Sequence, residues 1–289
     1  MASARLKVGA RPQLSDGRMV VAFSGWMDGG NVSTGTVEWL VDALNARKTA
    51  HIDPEGFYIY NFPGPMEVSA LFRPRTKIEN GLIRTYQPPT NAFFCDEENE
   101  LVLFSGKEPH FNWGEFADCL FSFASQTGVS AIYFIGSVAG AVPHTREPRL
   151  MSTVSDRSLK PALQPYVVSF TNYEGPASLS TNLLNQAAGH GFRMASLVAE
   201  IPAYVQGTNP KSIEAMVRKL AAILGLQVSL DRLRSIADEW ERRLDEALER
   251  EQDLAGHIRK LEEDYDNDVF DTQMGDLKKW LEQRGIRVD

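Results

Sequence analysis

Met19-Val20-Val21-Ala22-Phe23-Ser24-Gly25-Trp26-Met27-Asp28-Gly29-Gly30-Asn31 is the stretch whose reading decides the fold. The apolar run 19–23 has no polar alternation, so it reads as a strand covered on both faces, as in the middle of a parallel sheet. A glycine-rich turn at 25–30 follows. Residues 32–44 then place Val37, Leu40, Val41 and Leu44 at helical spacing. Strand, glycine turn and helix make the opening of an α/β unit.

The same order recurs downstream. Residues 57–62 read as a second strand, and 82–86 and 100–105 as strands around Pro88-Pro89 and the acidic loop 96–99. A helix at 113–125 is closed by Gly128, and the strand 130–135 enters a glycine-rich turn at 136–140. A strand at 166–170 and a helix at 179–188 precede a strand at 194–201, and Pro210 opens a helix to Leu224, at a position where proline sacrifices no hydrogen bond. The pattern predicts an α/β fold with a mostly parallel sheet over 1–225.

The 289 residues carry 43% apolar and 24% charged side chains, an ordinary globular balance. No apolar run reaches the ~18–20 residues that a membrane-crossing helix needs. Residues 1–17 hold Arg5, Lys7 and Arg11 without an apolar stretch behind them, so they do not read as a secretory signal. Cys95 and Cys119 alone make neither a disulfide framework nor a four-thiolate zinc site, and a reducing cytoplasm is the expected compartment. A net charge of -8 disfavours nucleic acid as partner. No cofactor or metal is expected.

Residues 211–289 hold 14 basic and 19 acidic side chains, a denser mixture than the 16 and 19 of residues 1–210. The shift places a boundary at Gly225, with a charged helical region over 226–289. There Leu233, Ala237, Trp240, Leu244, Ala247, Leu254, Ile258, Leu261 and Tyr265 recur at steps of four and three, with Glu251 as the single break. That heptad stripe predicts one long helix over 230–265 whose apolar seam meets its own domain, a short helix at 274–281, or a second copy.

Three segments are candidates for chemistry. Gly25, Asp28, Gly29, Gly30 and Asn31 lie between strand and helix, where backbone amides and the helix dipole favour anions; a tight turn capped by Asp28 or Asn31 explains the same residues. The turn is neither a dinucleotide fingerprint nor a Walker loop. Gly136 and Ser137 lead to His144 and Arg146, an acid–base group and an anion clamp, or else a loop cap and an ion-pair partner of Glu147. Glu174 follows the strand at 166–170, as a base or as part of a turn. No second histidine stands near His144, so no zinc set forms.

Phe23-Ser24-Gly25-Trp26-Met27-Asp28-Gly29-Gly30, Gly136 with Val142-Pro143-His144-Thr145-Arg146, Tyr173-Glu174-Gly175-Pro176, the run 195–207 and the helix ending Leu224-Gly225-Leu226 together resemble the proteasome assembly chaperone 2 family, in its bacterial and archaeal branch, over residues 18–266. The resemblance implies a three-layer α/β/α sandwich similar to the purine nucleoside phosphorylase fold, with a C-terminal helical extension. It implies a non-enzymatic binding or assembly protein, chaperone-like, with a protein partner; the heptad stripe offers a homo-oligomer of two or three copies where its seam meets a second copy. Relatives that assist proteasome α-rings use a C-terminal hydrophobic–tyrosine–any tripeptide; this sequence ends Arg287-Val288-Asp289. The alternative is a phosphorylase-like or hydrolase-like enzyme acting on a small polar or anionic metabolite at the glycine-turn pocket, although residues 24–33 contain no phosphate-clamping arginine. An enzyme needs convergent titratable groups; a chaperone needs an exposed apolar surface.

Overall fold

Strand β2 (Gly17–Ser24) runs through a nine-stranded sheet together with β1 (Leu6–Val8), β3 (Arg47–Ile52), β6 (Ala92–Asp96), β7 (Leu101–Lys107), β8 (Val129–Gly140), β9 (Leu150–Val154), β10 (Ser169–Phe170) and β11 (Arg193–Pro202). The computed structural model describes residues 4–167, 169–248 and 252–283, and beyond 251 the side chains of 254–271 and 274. The sheet order is β1-β3-β6-β7-β2-β8-β11-β9-β10. β7, β2, β8 and β11 are mutually parallel, so their carboxyl ends share one edge. β6, β3 and β1 extend the sheet antiparallel on one side, and β9 pairs antiparallel with β11 on the other.

The pleat of β2 explains the two layers of helices. Met19, Val21 and Phe23 face one core with helices α3 (Trp113–Thr127) and α5 (Leu179–Ala187), whose buried residues include Phe116, Leu120, Leu183 and Ala187. Val20 and Ala22 face the opposite core with α1 (Val32–Ala43) and α6 (Pro210–Leu224), through Val37, Leu40, Met216 and Leu220. Burying both faces of a strand requires an uninterrupted apolar run, which is what 19–23 provides. The fold is therefore α/β with helices on both sides of a large sheet.

Three local expectations differ. Residues 57–62 are not a strand: Phe57 is apolar because its side chain is fully buried, while its carbonyl accepts from the amides of His110 and Phe111. The strand in that region is β3, whose sequence RKTAHI is mostly polar. Residues 136–140 are not a turn: β8 continues through them, paired with β11 as far as Gly140↔Pro202. Of the described residues in 166–170, Ser169 and Phe170 pair with β9.

Short helices α2 (Met66–Ala70) and α4 (Lys160–Leu163) complete the first 225 residues with a separate hairpin, β4 (Arg75–Glu79) and β5 (Leu82–Gln87). Every residue of that hairpin is exposed.

Past Gly225, which caps α6 in the left-handed region, come α7 (Asp231–Leu248) and α8 (Gln252–Gln283). Leu233 and Ala237 on α7 are buried, and Leu233 joins the core shared with α6; Ile258 on α8 is buried as well. These positions of the apolar stripe thus face inward, but not on one straight helix. Asp245 of α7 bonds His144 at 2.9 Å while Glu262 of α8 accepts from the hydroxyl of the adjacent Thr145. Those two carboxylates lie 17 positions apart, which is about 25 Å along a continuous helix. α7 and α8 therefore do not lie on one straight axis. The segment 274–281 falls inside α8.

Ion pairs fasten α8 to the β8–β9 connection. Arg146 grips Asp266 with two bonds of 2.8 and 2.9 Å, and Arg149 reaches Asp268 at 3.1 Å. The bond from Arg146 holds the Asp266 carboxyl below its ordinary range. Burial pushes Glu147 up, but Arg218 and Lys219 more than offset this and lower it. A carboxylate with a lowered folded pKa contributes stability above its unfolded pKa and loses it as pH falls through the folded one. Thermal unfolding is therefore expected to show a falling acid limb below about pH 4.5, starting at the ordinary glutamate value. Glu147→Gln should flatten that limb; an identical limb in the variant would remove Glu147 from the account.

Candidate functional site

The carboxyl edge of β2 and β8 carries the site. Past Ser24 the chain turns at Gly25, where φ is +143° and a Cβ would meet the Glu108 side chain at 2.8 Å. Glu108 also accepts from the Trp26 amide at 2.9 Å, so the turn is pinned to the end of β7. The Asp28 carboxylate accepts from the Thr34 amide and hydroxyl at 3.0 and 2.8 Å, satisfying a first-turn amide of α1. Burial, only partly offset by the Thr34 bonds, raises the Asp28 pKa.

The structure brings the two glycine segments together. Asp28 and Ser137 form a parallel bridge, the Ser137 amide donates to the Met27 carbonyl at 2.9 Å, and the Ser137 hydroxyl donates to the Gly29 carbonyl at 2.6 Å. A Cβ on Gly136 would press on Phe134 and Met27 at 3.0 and 3.2 Å; one on Gly29 would meet Ile201 at 2.9 Å. The Gly30 carbonyl accepts from the Asn209 amide at 2.8 Å, and the Asn31 side chain donates to Thr208 at 2.8 Å. Contact this close leaves no cleft between the segments. The amides of Trp26, Asp28 and Asn31 are already taken, the last two by Gly25 and Asp28 carbonyls.

His144 and Arg146 are committed elsewhere. His144 is 3% exposed, bonded through one ring nitrogen to the Tyr204 hydroxyl at 2.7 Å and through the other to Asp245. Its ring thus docks the helical extension. Arg146 is committed to Asp266 and Glu262, not to Glu147, which pairs with Arg218 and Lys219 instead. Glu174 is exposed. Cys95 and Cys119 are buried free thiols, and burial pushes the Cys95 thiol up to about 12, far from a reactive thiolate. Among the described residues no cluster of His, Cys, Asp or Glu has the makings of a metal site.

Two cavities flank the closed edge. One of about 570 Å³ opens beside Asp28, Asn31 and Thr34, and its outer wall is Arg73 and Arg75. The other, about 390 Å³, lies on the opposite face of the sheet beside Trp26 and Met27. The sequence reading missed the arginine wall because its residues come from the arm at 66–87, distant in sequence from the glycine turn. Asn80-Gly81 was the available signal: both have positive φ, as a two-residue hairpin turn requires. The arm also leaves Met66, Leu71, Ile78, Leu82, Ile83 and Tyr86 in solvent, from 59 to 79% exposed.

The sheet is thus parallel at its centre, laced by its own backbone at the β2–β8 edge, and flanked by an exposed apolar arm. The chain belongs to the PAC2 family, whose pattern it matches over residues 22–248. A proteasome-assembly chaperone homologue from Mycobacterium tuberculosis is 26% identical, with a TM-score of 0.72 covering 83% of this chain and 99% of that one. A protein of unknown function from the same organism is 23% identical, with a TM-score of 0.80 covering 96% and 94%. An archaeal proteasome activator from Pyrococcus furiosus shares the fold at 22% identity, with a TM-score of 0.60 covering 84% and 97%. No curated protein matches the chain. Among the described residues no helix is long and apolar enough to cross a membrane.

Proposed function

We propose that the protein is a non-enzymatic binding and assembly protein of chaperone type, acting on other proteins and doing so as a homo-oligomer. The arm carries this reading. A two-stranded hairpin alone is marginal in water, and this one pairs with no other strand and buries none of its residues. Apolar side chains concentrated on such an element mark an interaction surface. Its first occupant is a second copy of this chain. Residues 66–90 hold four basic and two acidic side chains on a chain of net charge -8, so charge draws the arm onto the acidic body of another copy. Membership of a family whose relatives include a proteasome-assembly chaperone homologue supports the assembly role. The acid–base groups that an enzyme reading would use, His144 and Arg146, are engaged in holding α7 and α8.

Light scattering at micromolar concentration tests this. The full chain is expected at a multiple of 32.2 kDa, and Ile83→Asp, at a position 69% exposed, is expected to lower the mass to one copy with unchanged circular dichroism. A monomeric parent, or a variant that keeps the parent's mass, would contradict the proposal.

A further inference from the structure

The 390 Å³ cavity lies within the range of small-molecule sites, ~300–1,000 Å³. Its floor is the carboxyl-terminal part of β8 and β11 through Val138 and Val198, and its roof is the first turns of α5. No Asp, Glu, Lys, Arg or His lines it. Hydroxyls do: Ser196, 3% exposed, accepts from the Thr153 amide at 3.2 Å, and Ser180, 4% exposed, is 2.7 Å from the Ser178 hydroxyl. Met27 and Leu184 supply apolar surface between them.

Two aromatic side chains stand at the rim although solvent gains them nothing. Trp26 is 80% and Tyr173 68% exposed. The Trp26 amide is bonded to Glu108 beside the constrained Gly25, and the Tyr173 hydroxyl donates to the Pro176 carbonyl at 3.2 Å. Aromatic rings at the rim of a hydroxyl-lined, uncharged recess suit a ring that is apolar on its face and polar at its edge. Lacking any charge to offset desolvation, the recess rejects an ionised group.

We propose that this cavity is a binding site for an uncharged ring compound bearing hydroxyl groups, stacked at the rim by Trp26 and Tyr173 and hydrogen-bonded inside by Ser180 and Ser196. A sugar ring and a nucleoside share that chemistry. The experiment titrates the full-length protein with methyl glucoside and with uridine, each beside its phosphate ester, and follows saturation-transfer NMR and tryptophan emission. At least one uncharged compound is expected to bind in the millimolar range or tighter and to shift the emission, with its ester at least tenfold weaker. Trp26→Ala should weaken that binding about fivefold. Thr181→Trp, from an exposed position on α5 that lines the recess, should abolish it with circular dichroism unchanged. Absence of binding by both uncharged compounds overturns the proposal, as does equal binding of an ester, or binding indifferent to both substitutions.

Discussion

Gly128→Ala is expected to cost the fold about 3 kcal/mol or more, among the larger effects of a single substitution. Gly128 ends α3 with φ at +77°, and an added Cβ would lie 2.1 Å from the Leu14 carbonyl oxygen. The left-handed conformation alone costs an L-residue about 1 kcal/mol. The clash adds more because neither partner can retreat. The Leu14 amide donates to Thr127 at 3.0 Å, and the Gly17 amide donates to the Gly128 carbonyl at 3.0 Å, so the segment entering β2 is stitched to the end of α3. At ~2–4 °C per kcal/mol for a chain of this size, the melting temperature should fall by roughly 6–12 °C. A variant that melts within a degree or two of the parent would show that the 14–17 segment shifts freely.

Truncation after Leu226 carries the second large effect. It removes Leu233 from a core that contains Leu220, Leu224 and Leu226, and breaks the 2.6 Å pair of Lys211 with Glu241. Leu233→Ala alone is expected to cost about 2–5 kcal/mol, the usual range for a buried leucine. The truncation should cost more, since it also uncovers His144 and leaves Arg146 and Arg149 without their carboxylates. The arm is untouched, so the number of subunits measured by light scattering should stay that of the parent. A truncated protein that falls to one copy while its α/β core remains folded would instead assign the heptad stripe to self-association.

The sheet was legible wherever burial on both faces demanded an unbroken apolar run, as in 19–23. The helices of both layers were legible from spacing and from Gly128, Pro210 and Gly225. β3 escaped because a strand towards the side of the sheet tolerates Arg47, Lys48 and His51. The glycines at 136 and 140 misled for a physical reason. Glycine marks a turn, but it also marks a strand against which another backbone lies closely, and Gly136 is of the second kind. The heptad stripe picked out the buried Leu233, Ala237 and Ile258, yet could not reveal that α7 and α8 leave one straight axis, because a bent helical region and a single straight helix use the same apolar repeat. At the candidate site, Asp28 meets Ser137 because β2 and β8 are neighbours in the sheet. The commitment of His144 and Arg146 was not legible, since Asp245 and Asp266 are about a hundred residues away along the chain.

The bridge between Asp28 and Ser137 has a mechanical consequence. It adds a rung to the β2–β8 ladder beyond the last residue of β2, at the place where an open α/β sheet usually splays to admit a molecule. With the two strand ends laced together, the halves of the sheet on either side of β2 and β8 have no seam along which to breathe. The two cavities beside this edge open sideways instead, one next to Trp26 and the other next to the arm. Among the described residues the spine is laced shut and the two cavities open at its flanks.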